Sequence, residues 1–465
     1  LRKTKIICTV GPSTSSRDML MHMYQAGMNV VRLNMSHGDH DAHMKVIKAV
    51  KSINQKIKDA IPVLMDLQGP EIRTGNLQSD LKLQEGDIIT VSVRPDDVET
   101  SSFSINYEDL INTVNVGDKL TVDNGLINLE ILRKSQGTME CRVIHGGTLG
   151  SKRHVNLPGI RVNLPSITEK DKKDVFFGLE QEVDFIAPSF VREASDVMEL
   201  KELLGSKENK IKIVSKIEDR QGVNNLDEII EVSDAIMVAR GDLGVEINLE
   251  ELPNVQRTIV RKCAERGKRV IVATHLLESM IENPIPTRAE VTDVANAIYE
   301  EVDAVMLSGE SAVGKYPVRC VEHIDRIARA SEKLPGLNFS KNLIKNDDKQ
   351  HVAATAVGHA DAINAKGIVV ITRRGIMAQF LTNCRPRKSY IYAFTNDPRT
   401  RRQLFINRGV VAHRIDFSRD PEKTIQNAFV ILKKREGFEP GDRVVVISDI
   451  IAGSGIDAIQ IRSIT

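Results

Sequence analysis

In the run Ile213-Val214-Ser215-Lys216-Ile217-Glu218, a lysine and a glutamate stand two residues apart among apolar, β-branched neighbours. Side chains alternate faces along a strand, so Lys216 and Glu218 share one face. A second such run ends Ala239-Arg240-Gly241-Asp242. Adjacent strands lie about 4.8 Å apart, close enough for Glu218 and Asp242 to share one ion. Two carboxylates completed by water and substrate oxygens suit Mg²⁺, or Mn²⁺ in its place, because Mg²⁺ keeps part of its hydration shell. An ammonium beside that metal neutralises a phosphoryl group in transfer and stabilises an enolate left behind. Gly241 lets a small substrate approach the backbone. The plain alternative is a Lys–Glu ion pair without chemistry.

Two further constellations have the same character. Val31-Arg32-Leu33-Asn34-Met35-Ser36-His37-Gly38 offers one guanidinium and Met65-Asp66-Leu67-Gln68-Gly69-Pro70-Glu71-Ile72-Arg73-Thr74 another. A guanidinium binds phosphate oxygens in a fork, so Arg32 and Arg73 are natural phosphate clamps. Asn34, Ser36 and Asp66 offer hard oxygens, which fit a weakly bound alkali cation. His37, His40 and His43 read as surface histidines rather than a metal cluster, with His37 reaching a nucleotide.

These residues need elements to hold them. Short apolar runs alternate with amphipathic stretches such as 17–26 and 225–232, the pattern of parallel strands with helices packed outside. Eight runs read as strands: 5–11, 29–34, 62–66, 184–189, 211–218, 235–241, 269–274 and 304–308. Eight such units favour a closed (β/α)₈ TIM barrel over an open sheet. The runs close on Thr9, Arg32/Asn34, Asp66, Ser189, Lys216/Glu218, Arg240/Asp242, Thr274 and Ser308/Glu310. A parallel barrel brings all strand C-termini to one face, where its active site is built. Any one of these residues could be a helix cap; the repetition points to a site.

The pattern breaks between about 70 and 165, where turn-rich sequence carries alternating strands at 119–122 and 139–144. Asn124-Gly125 and Gly146-Gly147 are hairpin-type signals. A small β-barrel domain inserted after the third barrel strand is expected, placed to act as a lid. A polar linker at 334–350 leads to a C-terminal α/β domain with strands at 367–372, 389–394 and 443–448. The expected division is 1–69 and 166–333 for the barrel, 70–165 for the insert and 334–465 for the C-terminal domain.

Composition sets outer limits. The 465 residues carry a net charge of +1, which argues against nucleic-acid and membrane-surface partners, although Arg399, Arg401 and Arg402 form a local cluster able to bind an anion. Five widely spaced cysteines without a C-x-x-C pair fit a reducing cytoplasm rather than a disulfide framework or a thiolate zinc site. No apolar run reaches the roughly 18 residues of a membrane span. The N-terminal residues enter a strand without a signal-peptide pattern.

Taken in order, 2–12, 31–38, 69–74, 155–159, 215–218, 236–246, 284–290 and 306–311 resemble the motifs of the pyruvate kinases, over nearly the full chain. The resemblance implies phosphoryl transfer from phosphoenolpyruvate to ADP, giving pyruvate and ATP, with Mg²⁺ and K⁺. It implies that Lys216 stabilises the transition state and that Glu218 and Asp242 hold Mg²⁺. Arg32, Gly241, Asp242 and Thr274 would contact substrate, and Asn34, Ser36, Asp66 and the Leu67 carbonyl would hold K⁺. Arg73, His37, Asn34 and Lys152 would face the nucleotide. Thr274, with Ser308 and Glu310 through water, would protonate the enolate. Family members are usually homotetramers with an effector site in the C-terminal domain.

The chain departs from the common family pattern at Leu67-Gln68, where Thr-Lys is frequent, at Asn124 and at His275. The expected consequence is altered nucleotide handling at most. Glu71 goes with K⁺ dependence in the family. The effector loop, Thr372-Arg373-Arg374-Gly375-Ile376-Met377, has two arginines in place of most of the usual hydroxyls, so an anionic effector of open identity is expected.

Other readings fare worse. Residues 309–316 nearly match a P-loop, but Tyr316 stands where Ser or Thr must hold Mg²⁺. Residues 453–458 resemble a dinucleotide fingerprint with too little chain after it for a βαβ unit. A catalytically weakened relative serving as a metabolite-binding regulator is the more serious alternative, and the intact Lys216, Glu218, Asp242, Arg32 and Thr274 argue against it.

Overall fold

The computed structural model describes residues 1–465 except 95–101, 124, 161, 163, 206–209 and 449–457. Asn124 and most of the fingerprint-like stretch at 453–458 therefore lie outside the described residues. In chain order, strands β1 (Lys5–Thr9), β2 (Val30–Asn34) and β3 (Val63–Asp66) begin the barrel. The insert then supplies β4 (Leu81–Leu83), β5 (Ile88–Ser92), β6 (Phe103–Ser104), β7 (Lys119–Val122), β8 (Ile127–Lys134), β9 (Thr138–His145), β10 (Gly147–Leu149) and β11 (Val155–Asn156). The barrel resumes with β12 (Phe185–Ala187), β13 (Lys212–Ile217), β14 (Ala235–Ala239), β15 (Arg269–Ala273) and β16 (Ala304–Leu307). The C-terminal part holds β17 (Gly367–Ile371), β18 (Tyr390–Thr395), β19 (Val410–Arg414), β20 (Arg443–Ser448) and β21 (Ala458–Ser463).

The eight expected runs are the eight strands of one closed parallel barrel, in the order β1-β16-β15-β14-β13-β12-β3-β2. Their two-residue period sorts the side chains. Ile213 and Ile217 turn outward to the helices, while Val214 joins an inner cluster with Ile7, Leu64, Met237 and Ile271. Lys216 and Glu218 share the parity of Val214 and so rise inside the barrel above that cluster. The surrounding helices start where short polar side chains can cap exposed N–H groups. Ser16 caps Arg17–Ala26, and Thr168 with Asp171 and Thr287 with Glu290 form capping boxes.

The insert is a six-stranded sheet, β11-β7-β8-β9-β5-β6, beside a two-stranded sheet, β10-β4. Around the Asn124-Gly125 signal, β7 and β8 pair antiparallel with Val122 opposite Ile127. The Gly146-Gly147 signal is not a hairpin. The chain changes sheets there, and a Cβ on Gly146 would lie 2.3 Å from the Leu83 carbonyl oxygen. The C-terminal sheet, β19-β18-β17-β20-β21, contains the three expected strands and two more. Its β21 runs antiparallel and half exposed along an edge, so it lacks the apolar run that marks the others. Ile406 from this part joins the inner barrel cluster and closes the barrel floor.

The arginine cluster at 399–402 holds the C-terminal part against the barrel instead of waiting for an anion. Arg402 Nε pairs with Asp184 at 2.8 Å, Arg399 with Glu182 at 3.3 Å, and Arg401 donates to the Lys58 carbonyl.

Candidate active site

The ring of polar strand ends converges at the barrel mouth on Lys216. Its Nζ donates to Ser189 Oγ at 2.6 Å and lies 3.0 Å from Glu218 Oε1 and 3.2 Å from Asp66 Oδ1. Glu218 and Asp66 are each 1% exposed and Lys216 is 9% exposed, so these charges act in a medium of low dielectric. Burial works to lower the Lys216 pKa; Asp66 and Glu218 override it and hold the ammonium charged, above its ordinary pKa. Ser189, which appeared in the sequence only as a strand end, orients the lysine and passes its own hydrogen to the Leu67 carbonyl at 2.8 Å.

Arg32 reaches the same cluster from β2. Its Nε donates to Asp66 Oδ2 at 2.7 Å and its Nη1 to Thr9 Oγ1 at 2.8 Å. Thr9 in turn donates to the Leu307 carbonyl across the barrel seam. Asn34 and Asp66 are register partners on adjacent strands. Asp66 Oδ1 is buried without a hydrogen bond, while Asn34 Oδ1 accepts the Ser36 N–H at 3.2 Å. Asn34, Ser36, Asp66 and the Leu67 carbonyl are all oxygen donors, the type that hard cations take.

Glu218 Oε2 accepts the Phe190 N–H at 2.6 Å, which leaves the carboxylate fixed. Burial pushes its carboxyl up, and the Asp242 charge adds to that push against the pull of Lys216. Asp242 lies 3.3 Å from His154 Nδ1, and this contact holds its carboxyl below the ordinary value in spite of burial. Three carboxylates thus face Lys216 and Arg32, a cluster short of positive charge. That shortage and the all-oxygen donor set fit a divalent cation on Glu218 and Asp242. His154 comes from the insert, and nothing in its local sequence marks it.

Thr274 follows β15 with φ +72°, and His275 follows it at +54°. Two successive left-handed residues that are not glycine store strain, which persists only where the surroundings enforce it. Arg240 does so: its Nη2 donates to the Thr274 carbonyl at 2.6 Å while its Nη1 holds Asp293 at 2.8 Å. A Cβ at position 241 would stand 2.9 Å from Thr274 Cγ2, so Gly241 makes room for that threonine. Glu310 is fully buried, and its two oxygens accept the N–H groups of Leu277 at 3.0 Å and Ser308 at 2.8 Å. It shapes the strand-end loops and leaves the Ser308 side chain half-exposed at the mouth.

Glu71 organises the nucleotide-side candidates. Its Oε2 accepts from Arg73 Nε at 2.6 Å and from Gln68 Nε2 at 2.9 Å. Arg73 Nη1 reaches the Lys152 carbonyl at 2.8 Å, and the Lys152 side chain stands exposed beside it. His37 is exposed. The expectation of three surface histidines fails at His43, which is 8% exposed and bonds the His37 carbonyl at 3.0 Å. His40 pairs with Asp174 at 2.7 Å and stacks on Phe177, so both serve packing. In the P-loop-like stretch, Gly309–Ala312 is one short turn and Lys315 is paired with Glu282. Arg373 and Arg374 are exposed just before helix Ile376–Asn383.

The family model "Pyruvate kinase, barrel domain" matches residues 1–321, and "Pyruvate kinase, alpha/beta domain" matches 350–461. "Pyruvate kinase isozyme G, chloroplastic" of Nicotiana tabacum is 43% identical over 450 residues, covering 96% of this chain and 80% of the relative. "Pyruvate kinase" of Staphylococcus epidermidis is 40% identical over 460 residues, covering 97% and 78%. "Pyruvate kinase" of Clostridium perfringens is 40% identical over 455 residues, covering 96% of both chains.

Proposed function

The chain belongs to the pyruvate kinase family, and from that premise we propose how its own residues carry the reaction. It transfers the phosphoryl group of phosphoenolpyruvate to ADP, giving pyruvate and ATP. The family is generally Mg²⁺ and K⁺ dependent. Glu218 and Asp242 would hold Mg²⁺, and Asn34, Ser36, Asp66 and the Leu67 carbonyl would hold K⁺. When bound, the two cations supply the positive charge that the acid-rich mouth lacks and offset the charge of the phosphates.

The observation that carries the assignment is Lys216, buried, protonated and held at the mouth by one hydrogen bond to Ser189 and ion pairs with Asp66 and Glu218. Its ammonium would meet the bridging oxygen of phosphoenolpyruvate as that oxygen gains negative charge and the P–O bond breaks. The same charge favours the enolate that results. Arg32, fixed by Asp66 and Thr9, clamps the phosphate, with Gly241 leaving room for the substrate. The Thr274 hydroxyl delivers a proton to the methylene carbon, and Ser308 lies on the route that resupplies it. Arg73, His37, Asn34 and Lys152 take the nucleotide phosphates. Gln68, bonded to Glu71, removes one cationic side chain from that side.

We further assign 1–69 and 166–333 to the barrel, 70–165 to a lid and 334–465 to a regulatory domain that takes an anionic effector at Arg373 and Arg374. A homotetramer in the cytoplasm is the expected setting. The cysteines are all free, and among the described residues no helix is long and apolar enough to cross a membrane. A coupled assay with phosphoenolpyruvate, ADP, Mg²⁺ and K⁺ tests the assignment. Failure to form pyruvate, with and without sugar-phosphate and nucleotide effectors, would sink it. Glu71 makes turnover K⁺ dependent, and equal rates in a K⁺-free buffer with a non-coordinating cation would refute that part.

A further inference from the structure

Beside the mouth, where the chain leaves and re-enters the barrel, a cavity of about 380 Å³ opens between the insert and the loops after β12 and β13. Small-molecule sites have this size, with largely apolar walls and a few convergent polar groups. The walls here include Pro70, Ile72, Leu157, Ile160, Val162 and Leu164, and the polar end holds Asp219, Glu246 and Asn156. Asn156 Nδ2 donates to Glu246 Oε1 at 2.8 Å, which ties β11 of the insert to helix Arg240–Glu246 of the barrel. The other end of that amide is unanswered. Asn156 is 3% exposed and its Oδ1 accepts no hydrogen bond.

Asp219 caps helix Arg220–Asn224, accepting the Gly222 N–H at 2.7 Å, but neither acidic side chain at this end has a cation in contact among the described residues. Two arginines among the described residues line the wall and are committed elsewhere, Arg192 to the carbonyls of Val162 and Leu164 and Arg220 to Glu251 at 2.8 Å. His154, also on the wall, turns its Nδ1 to Asp242. Burial, opposed by the Asn156 hydrogen bond and reinforced by Asp219, pushes the Glu246 carboxyl up to about 7. The cavity presents two acidic side chains and an unpaired amide carbonyl, with an apolar wall opposite.

We propose that this cavity binds a small organic cation, a primary ammonium on an apolar body, with the ammonium on Glu246, Asp219 and the Asn156 carbonyl and the body along Ile72, Leu157 and Ile160. An ammonium has three donors and no acceptor, which suits the two acidic side chains and the amide carbonyl at this end. An anion would meet two carboxylates, and a bare metal ion would leave the apolar wall without a partner. The occupant bridges insert and barrel, so it stabilises one position of the insert over the mouth.

Titration calorimetry of the full chain with n-hexylammonium, without substrates, tests this independently of turnover. Saturable binding is expected, with hexan-1-ol weaker by about tenfold or more, because only the amine pairs with the carboxylates. Glu246→Gln should weaken the amine by about tenfold and leave the alcohol unchanged. Ile160→Trp, at a half-buried wall position, should abolish amine binding and decides the matter if Glu246→Gln does not fold. The proposal is overturned by absence of amine binding, by alcohol binding equal to amine, by amine binding unchanged in either folded variant, or by stoichiometric displacement of the amine by K⁺ or Mg²⁺, which would make this a metal site.

Discussion

At the floor of the barrel, Asp303 receives both terminal nitrogens of Arg385, at 2.7 and 2.8 Å, together with the Arg408 N–H at 3.2 Å and the Val270 N–H at 3.1 Å. Arg269 lies 3.5 Å away. At the mouth, Lys216 and Arg32 face Asp66, Glu218 and Asp242, and Asp66 Oδ1 is left without a hydrogen bond. Both clusters are buried and both join distant parts of the chain. The floor surrounds one carboxylate with donors, whereas the mouth has more anionic groups than cations to meet them. Arg269 Nη1 is also without a hydrogen bond, so the difference lies in charge. A buried carboxylate ringed by donors rigidifies a fold, and a cluster short of positive charge is prepared for ligands. The same barrel carries one of each, at opposite ends of its strands.

The contrast breaks most visibly at Lys216. Lys216→Met should lower kcat by roughly 10³-fold or more, because the charge meeting the transferring group is gone. Binding of Mn²⁺, followed by its electron paramagnetic resonance signal, should be largely retained. A variant that turns over within about tenfold of the parent would remove Lys216 from the chemistry.

The floor should answer in stability. Asp303→Asn leaves Arg385 and Arg269 buried without their counter-charge, a change of the kind that costs about 3–5 kcal/mol. Urea unfolding monitored for the barrel and the C-terminal part separately should show the loss, with kcat of the remaining folded enzyme little changed. Equal unfolding midpoints for variant and parent would make the floor cluster a spectator.

Acid should expose the same difference. Burial alone would raise the Asp303 carboxyl, but Arg269 and Arg385 hold it at about 2, below its ordinary 3.8. The folded chain therefore binds this proton less readily than the unfolded chain. The resulting stability is fully present above the unfolded value and is lost as pH falls through the folded one. Acid-unfolding curves of the parent and Asp303→Asn should be far apart above about pH 4 and converge toward pH 2. Curves with constant separation would contradict the pairing.

The smallest effect is expected at Thr9. Thr9→Val removes the hydroxyl that steadies Arg32 and should cost about 1 kcal/mol of stability. Its mark on function should be a severalfold higher KM for phosphoenolpyruvate with kcat little altered, measured by initial rates. A fall in kcat alone would place Thr9 in the chemical step instead.

Much of the mouth is legible in the sequence. Lys216, Glu218, Asp66, Arg32, Asn34 and Thr274 each end a strand, and a parallel barrel leaves those ends nowhere else to go. The partners that complete them were not legible. Ser189 and Arg240 looked like two more strand ends, and only the loop geometry turns one to Lys216 and the other to the strained Thr274 carbonyl. His154 reaches Asp242 from the insert across 88 positions of chain, with no local pattern to announce it.

The amino-acid order was enough for the eight parallel strands, their inward parity and the type of chemistry at their ends, because these follow from local period and residue type. Folding in three dimensions decided the rest. It turned Gly146-Gly147 into a change of sheet, buried His43, set Arg399, Arg401 and Arg402 to joining the C-terminal part to the barrel, and placed Ile406 in the barrel floor. It also closed Arg385 on Asp303, 82 residues apart. Such pairings depend on which distant surfaces meet, and the free energy of a buried charge is settled only by what surrounds it there.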